Sequence, residues 1–217
     1  MPIHRHGGGE RLRKGCGFAD MDCELFIAEL KLLNIAPCES VLHGSCVQMF
    51  GKGIAIIGKK NSGKSTLTKY FVDYCGASYL TDDCIYIINN SYYGFAMPIP
   101  MRTIIYQNEK PAICMSLDSE GEKRYLYDID NTIEKLVGID YILFPTYQRS
   151  QQTIQTNQLY GTELVNAFLN NIRHMKDMNT LFRDVKNTIK NASAFTLVYA
   201  ECADVYDWIA SNIMVRR

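Results

Sequence analysis

The amino-acid sequence predicts an α/β domain with a mixed, partly antiparallel sheet and helices placed mainly toward the C-terminus. Three observations predict it. Residues 41–50 (VLHGSCVQMF) and 54–57 (IAII) read as strands joined by Gly51-Lys52-Gly53, an antiparallel hairpin. A hairpin there argues against an all-parallel, doubly wound sheet. Residues 141–144 (YILF) form a continuous apolar run suited to a buried central strand, and apolar residues at helical spacing gather after residue 160.

In chain order, Asp20 and Asp22 read as N-caps of a short helix with Phe26, Leu30 and Leu33 on its apolar face, ended by Pro37. The hairpin follows. A helix after it carries Leu67, Tyr70, Phe71 and Tyr74 on one face, with Gly76 as its C-cap. Residues 84–88 (CIYII) read as a strand ending in the turn Asn89-Asn90-Ser91, and 98–130 mixes short strand-like runs with loops. Pro145 closes the YILF strand, and the segment QRSQQTIQTNQ reads as polar connection. A helix with Leu164, Phe168 and Ile172, seconded by Val165 and Leu169, comes next. A second helix carries Leu181, Phe182, Val185 and Ile189. Residues 195–199 (FTLVY) form a strand, and the last helix uses Val205, Trp208 and Ile209.

The 217 residues suit one compact domain. Lys plus Arg equals Asp plus Glu at 23 each, which argues against nucleic acid as a partner. No apolar run approaches the ~20 residues that span a bilayer. The N-terminus MPIHRHGGGERLRK has no apolar leader segment. The expectation is a cytoplasmic protein without membrane contact. Residues 1–18, with His4 and His6 beside a glycine run, are expected to be a disordered tail, and 19–217 a single domain. The eight cysteines show no C-x-x-C and no Cys/His metal spacing, so reduced, packed thiols are expected.

Gly58-Lys59-Lys60-Asn61-Ser62-Gly63-Lys64-Ser65 matches G-x-x-x-x-G-K-[ST] in full, after an apolar strand and before an amphipathic helix, with Thr66 following. Such a P-loop turns its backbone N–H groups inward around phosphate oxygens, and the helix N-terminus adds its positive dipole end. Gly58 and Gly63 admit the tight turn. Lys64 is placed for the β and γ phosphates, and the Ser65 hydroxyl for Mg²⁺, which prefers hard oxygen ligands. Lys59 and Lys60 either contact phosphate or stay solvated.

Thr81-Asp82-Asp83 follows the loop helix, with Asp82 eighteen residues past Lys64. The two carboxylates could divide metal binding and proton acceptance, or form an Asx-type turn into the next strand. With residues 51–53 as the hairpin loop, Val47 faces Ile57 and His43 falls beside Asn61. His43 is then either a group of the phosphate site or a satisfied structural histidine. Gly44 after it would let a ligand or backbone come close.

His43-Gly44, the glycine hairpin, GIAIIGKKNSGKST and Thr81-Asp82-Asp83, in this order, resemble the catalytic domain of the HPr kinase/phosphorylase family, whose P-loop is of the phosphoenolpyruvate-carboxykinase type. The resemblance is strong over 41–88, looser through Pro98–Arg102 and YILFPTYQR, and absent before 20. It implies an HPr kinase C-terminal-domain-like fold and an ATP- and Mg²⁺-dependent kinase acting on a serine-type hydroxyl of a protein or peptide. By position it implies Asp82 as general base, His43 as its neighbour, Lys64 as phosphate clamp, and Ser65 and Asp83 on the metal. Arg102 or Arg149 could supply transition-state charge, or be surface arginines. Related kinases form oligomers. The family's extra N-terminal domain is not found, and neither is its R-G-x-G segment after the Asp-Asp pair; that segment is tied to the phosphorylase reaction, so this reaction is not expected. Short relatives resemble peptide-modifying kinases, including lasso-peptide tail kinases. Two other readings remain: a non-catalytic ATP-binding regulatory module, and a small-molecule kinase acting on a free serine-type hydroxyl.

Overall fold

The computed structural model describes residues 40–102, 114–117 and 123–214. The expected tail and the helix with Phe26, Leu30 and Leu33 lie outside the described residues. Strand β1 (Ser40–Met49) turns back into β2 (Lys52–Ile57). The turn holds two residues, Phe50 and Gly51, both at positive φ (55° and 73°), and Met49 pairs with Lys52. This corrects the expected three-residue loop 51–53: Val47 faces Ile54, and Ile57 faces Gly44. A phenylalanine rarely takes a left-handed φ, so no local propensity marks this turn. Packing of the Phe50 ring against Tyr206, 6.0 Å between centroids, favours the arrangement.

Helix α1 (Lys64–Cys75) follows the glycine-rich loop and ends at Gly76 with φ 67°. It buries Leu67 and Phe71, whereas Tyr74 is 51% exposed, so the buried face is narrower than its sequence spacing suggested. β3 (Ser78–Thr81) and β4 (Cys84–Ile88) are separated only by Asp82 and Asp83. Asn89 and Asn90 (φ 49° and 59°) make a two-residue turn, so Ser91 begins β5 (Ser91–Tyr93) instead of ending the turn. In the 98–130 stretch, β6 (Ile99–Met101), β7 (Cys114–Leu117) and β8 (Lys123–Tyr127) form a separate three-stranded sheet. Lys69 of α1 lies 4.4 Å from the Tyr127 ring centre and ties the two parts together. β9 (Lys135–Leu136) pairs with β5.

β10 (Tyr141–Tyr147) runs through Pro145, which was expected to close it. Its pairing with β2 stops at Leu143, so the missing proline N–H costs no bond to β2. β11 (Gln155–Leu159) is an edge strand where a polar connection was expected. Helix α2 (Gly161–Leu169) ends at Asn170, and Asn171 Nδ2 donates to Ala167 O at 2.8 Å. Ile172 therefore opens β12 (Ile172–Met175) instead of continuing the helix. Helix α3 (Met178–Asn191) is capped by Asp177, whose side chain accepts from Thr180 N at 2.9 Å. Its Phe182, expected in the core, is 53% exposed. β13 (Ser193–Tyr199) and α4 (Cys202–Met214) complete the described chain.

The main sheet runs β11-β13-β10-β2-β1-β4-β5-β9, with β3 and β12 also paired to β1. β10 is parallel to β2 and β13, and the other ladders are antiparallel. Alternation along β2 divides the core. Ile54 and Ile56 pack with Leu67, Phe71, Val205 and Ile209 of α1 and α4. Ala55 and Ile57 pack with Phe168, Leu181 and Val185 of α2 and α3. The sheet is thus covered on both faces, and the strand leading into the glycine-rich loop lies in the middle of it. Each fully buried isoleucine there contributes roughly 1.5–3 kcal/mol. The result is a mixed, partly antiparallel α/β fold with three of the four described helices after residue 160. Cys46, Cys75, Cys84 and Cys202 take part in no disulfide.

Candidate functional site: a P-loop faced by two aspartates

Two residues of β1 organise the site. On one edge Gly44 pairs with Ile57, the last residue before the P-loop. On the other edge the Gly44 N–H donates to Asp83 O at 3.0 Å, and the Ser45 hydroxyl donates to Asp82 Oδ1 at 2.5 Å. β3 and β4 both pair with β1, so the break between them falls opposite Gly44 and Ser45. The loop and the aspartate pair are therefore one strand apart on each side, about 5 Å per step. A Cβ on Gly44 would lie 2.8 Å from Ile56 O. The close neighbour that this glycine admits is backbone.

The loop itself is held from both ends. Asn61 (φ 70°) and Gly63 (φ 96°) supply its left-handed turns. Tyr147 N donates to Ser62 O at 3.1 Å, and Tyr199 Oη donates to Gly63 O at 3.2 Å. A Cβ on Gly63 would collide with the Tyr199 hydroxyl. Helix α1 has no side-chain cap, so its first N–H groups are left to the loop interior. The Ser62 hydroxyl is out of solvent with no hydrogen-bond partner, an orphan that a phosphate oxygen would satisfy. Lys59, Lys60 and Asn61 are exposed, Gly58, Ser62, Gly63, Ser65 and Thr66 are half-buried, and Lys64 is buried.

Lys64 Nζ donates to Gly58 O at 2.8 Å and Lys59 O at 2.9 Å. Burial lowers its pKa, and the nearby charges of Asp82 and Asp83 work against that shift. Asp82 is buried and accepts a hydrogen bond from the Ser45 hydroxyl, and the nearby Ser65 hydroxyl also favours its charged form. Burial pushes its carboxyl up to about 6, against the lowering effect of those two hydroxyls. Asp83 is the opposite case, with a side chain 62% exposed. Partial desolvation works to raise its pKa, but His43 and Arg173 outweigh it and hold the carboxyl down at about 2. Arg173 Nη1 lies 2.7 Å from Asp83 Oδ2, and His43 Nδ1 lies 3.4 Å from Oδ1.

His43 does not sit beside Asn61. The two-residue turn shifts the register, so His43 pairs with Cys84, and its N–H donates to Asn171 O at 2.7 Å. It nonetheless joins the aspartate pair. Arg102 follows β6 in the small sheet and is exposed, and Arg149 lies in the exposed turn two residues after Tyr147. Neither is on the strands that gather the site. Arg173, Ser45, Tyr147 and Tyr199 were not anticipated. Arg173 was hidden in a stretch read as the end of a helix, and Ser45 in an ordinary strand sequence.

Among the described residues no group of three or more His, Cys, Asp or Glu side chains could cage a metal. Magnesium needs no such cage: one or two carboxylates or hydroxyls with phosphate oxygens and water satisfy it, and Ser65 with the aspartate pair fits that donor set. A cavity of about 550 Å³ lined by Leu159, Tyr160, Leu164, Val165, Ile189 and Ala194 lies by the start of β13, away from the Tyr199 end that meets the loop. It is separate from this chemistry.

The fold and the site define a mixed α/β protein built around a complete P-loop. Among solved structures, the fold is similar to the Hpr(Ser) kinase/phosphatase from Coxiella burnetii, at 11% identity and a TM-score of 0.39, covering 82% of this chain and 98% of that one. No family model and no curated protein sequence matches the chain. No described helix is long and apolar enough to cross a membrane.

Proposed function

We propose that this protein is an ATP-dependent kinase that transfers the γ-phosphate to a serine-type hydroxyl of a protein or peptide. The observation that carries the reading is the placement of Asp82: buried, with a carboxyl pushed up to about 6, and near enough to the P-loop's own Ser65 for that hydroxyl to favour its charged form. A general base works best with a pKa near the operating pH. The order of motifs, which resembles that of HPr kinase/phosphorylase catalytic domains, supports the same reading.

In this reading the loop N–H groups, the Ser62 hydroxyl and Lys64 bind the phosphates. Lys64 leaves the Gly58 and Lys59 carbonyls to do so. Asp82 accepts the proton of the acceptor hydroxyl as its oxygen bonds to the γ-phosphorus. The bond from that phosphorus to the β-bridging oxygen breaks, and ADP leaves with the electron pair. Ser65 and Asp83 would hold Mg²⁺, which supplies charge neutralisation on the phosphate oxygens when bound. His43 keeps the Asp83 carboxylate ionised and oriented. Positioning and charge carry most of the rate in this chemistry.

The test incubates the protein with γ-labelled ATP, Mg²⁺ and a panel of acceptors: serine peptides, free serine and a cell lysate. The expected result is label on a defined peptide or protein hydroxyl, lost in Lys64→Ala and Asp82→Asn. ATP binding with no transferred label would favour a regulatory module, and label on free serine a small-molecule kinase.

A further inference from the structure

Arg173 belongs to β12, which joins the sheet by pairing with β1 at Ser40–Leu42. Its guanidinium Nη1 donates to Asp83 Oδ2 at 2.7 Å and to Cys84 Sγ at 3.3 Å. His43 faces the other oxygen of the same carboxylate. Arg173 is also near enough to Lys64 for the two positive charges to repel. It thus borders the P-loop while its hydrogen bonds among the described residues engage Asp83 as their one carboxylate.

That arrangement conflicts with metal binding at Asp83. A divalent cation on Oδ2 would stand about 4 Å from a guanidinium bonded to the same oxygen, where like charges repel strongly. The repulsion favours release of one of the two. A guanidinium displaced there meets the phosphate oxygens next, and its fork matches them bidentately.

We propose that Arg173 is a metal-displaced clamp. It holds Asp83 in the nucleotide-free site, yields that carboxylate to Mg²⁺ when ATP binds, and then neutralises charge on the transferred phosphoryl group. This deepens the kinase reading and rests on it. Until the ion pair is broken, Arg173 acts as a positioning residue. It raises the Mg²⁺ concentration needed to load the site above what Ser65 and Asp83 alone would require.

The test measures Mg²⁺-dependent binding of a fluorescent ADP derivative to wild type, Arg173→Ala and Arg173→Gln, with transfer assayed separately. ADP lacks the phosphate that the freed guanidinium would meet, so it reports the competition alone. Both variants are expected to need about 2- to 5-fold less Mg²⁺ for half-maximal binding, the range of an exposed ion pair. Transfer at saturating Mg²⁺ is expected to fall by about 10²-fold or more, with Arg173→Lys intermediate. An unchanged or raised Mg²⁺ requirement in both variants overturns the clamp, and so does a lowered requirement with undiminished transfer. Wild-type protein that binds no nucleotide overturns the function reading and this inference with it. Normal Mg²⁺-dependent binding by wild type, matched by both variants, overturns the clamp alone.

Discussion

Replacing Asp82 by asparagine is expected to stabilise the protein at neutral pH while removing its chemistry. The Asp82 carboxyl rises from 3.8 to about 6 on folding because burial penalises its charge more than Ser45 and Ser65 favour it. At 1.36 kcal/mol per pKa unit, the ionised group costs the folded state about 3 kcal/mol. By linkage, the folded state holds a proton between pH 3.8 and 6 that the unfolded chain has released. Stability from this group is therefore full below pH 3.8 and is lost as pH rises to 6. Asparagine keeps an oxygen for the Ser45 hydroxyl and carries no charge, so it escapes the loss. Urea denaturation of both proteins across pH 4–7.5 measures the difference. Asp82→Asn is expected to match wild type near pH 4 and exceed it by about 3 kcal/mol at pH 7, with transfer reduced 10²–10⁴-fold. A variant no more stable at pH 7, or a stability gap that ignores pH, would refute the reasoning. Asp83 does not confuse the test, since its carboxyl is held down at about 2 and its window lies at lower pH.

Three further outcomes follow from the same geometry. Ser45→Ala removes a hydrogen bond to a charged acceptor, worth about 1.5–3 kcal/mol. The acid limb of the pH–rate profile for transfer should then move up by about one to two units. Gly44→Ala places a methyl against the Ile56 carbonyl, which should cost about 1–3 kcal/mol in denaturation experiments. It should also weaken nucleotide binding, because it parts β1 from the strand that leads into the loop. Gly63→Ala combines a left-handed φ of 96° with a collision at the Tyr199 hydroxyl. Calorimetric titration should show nucleotide affinity lost. Adding Tyr199→Phe should restore little, because the backbone strain remains.

The parts of this molecule that were legible in the sequence are those whose physics is local. The P-loop, its flanking strand and helix, the Gly76 stop and the CIYII strand appear where glycine geometry and apolar spacing put them. What was missed depends on tertiary contacts. The hairpin turn uses Phe50, which takes its positive φ with its ring packed on Tyr206, a contact 156 residues away in sequence. That misplacement carried His43 to Asn61 on paper and to Cys84 in the fold. Ile172 fits the helical spacing of Leu164 and Phe168, but Asn170 and Asn171 end the helix and hand the isoleucine to a strand. Arg173 went with it, and its place beside Asp83 depends on β12 finding β1, a pairing between segments far apart in the chain.

The two aspartates show why adjacency in sequence does not decide chemistry. They share the break between β3 and β4, yet their side chains leave it into different surroundings. Asp82 points to Ser45 and Ser65 and is buried. Asp83 points to His43 and Arg173 and stays largely in solvent. One strand residue of offset separates a carboxyl at about 6 from one at about 2. Such a pair of environments, pushed apart from similar starting values, is the arrangement that the proposed proton acceptor and metal-side anion require. Because the offset is fixed by the β1–β3 and β1–β4 ladders, exchanging the two environments would require slipping β1 by one residue. That slip would turn Val47, Cys46 and Leu42 out of the faces they now fill. The difference in surroundings between Asp82 and Asp83 is therefore secured by the hydrophobic core.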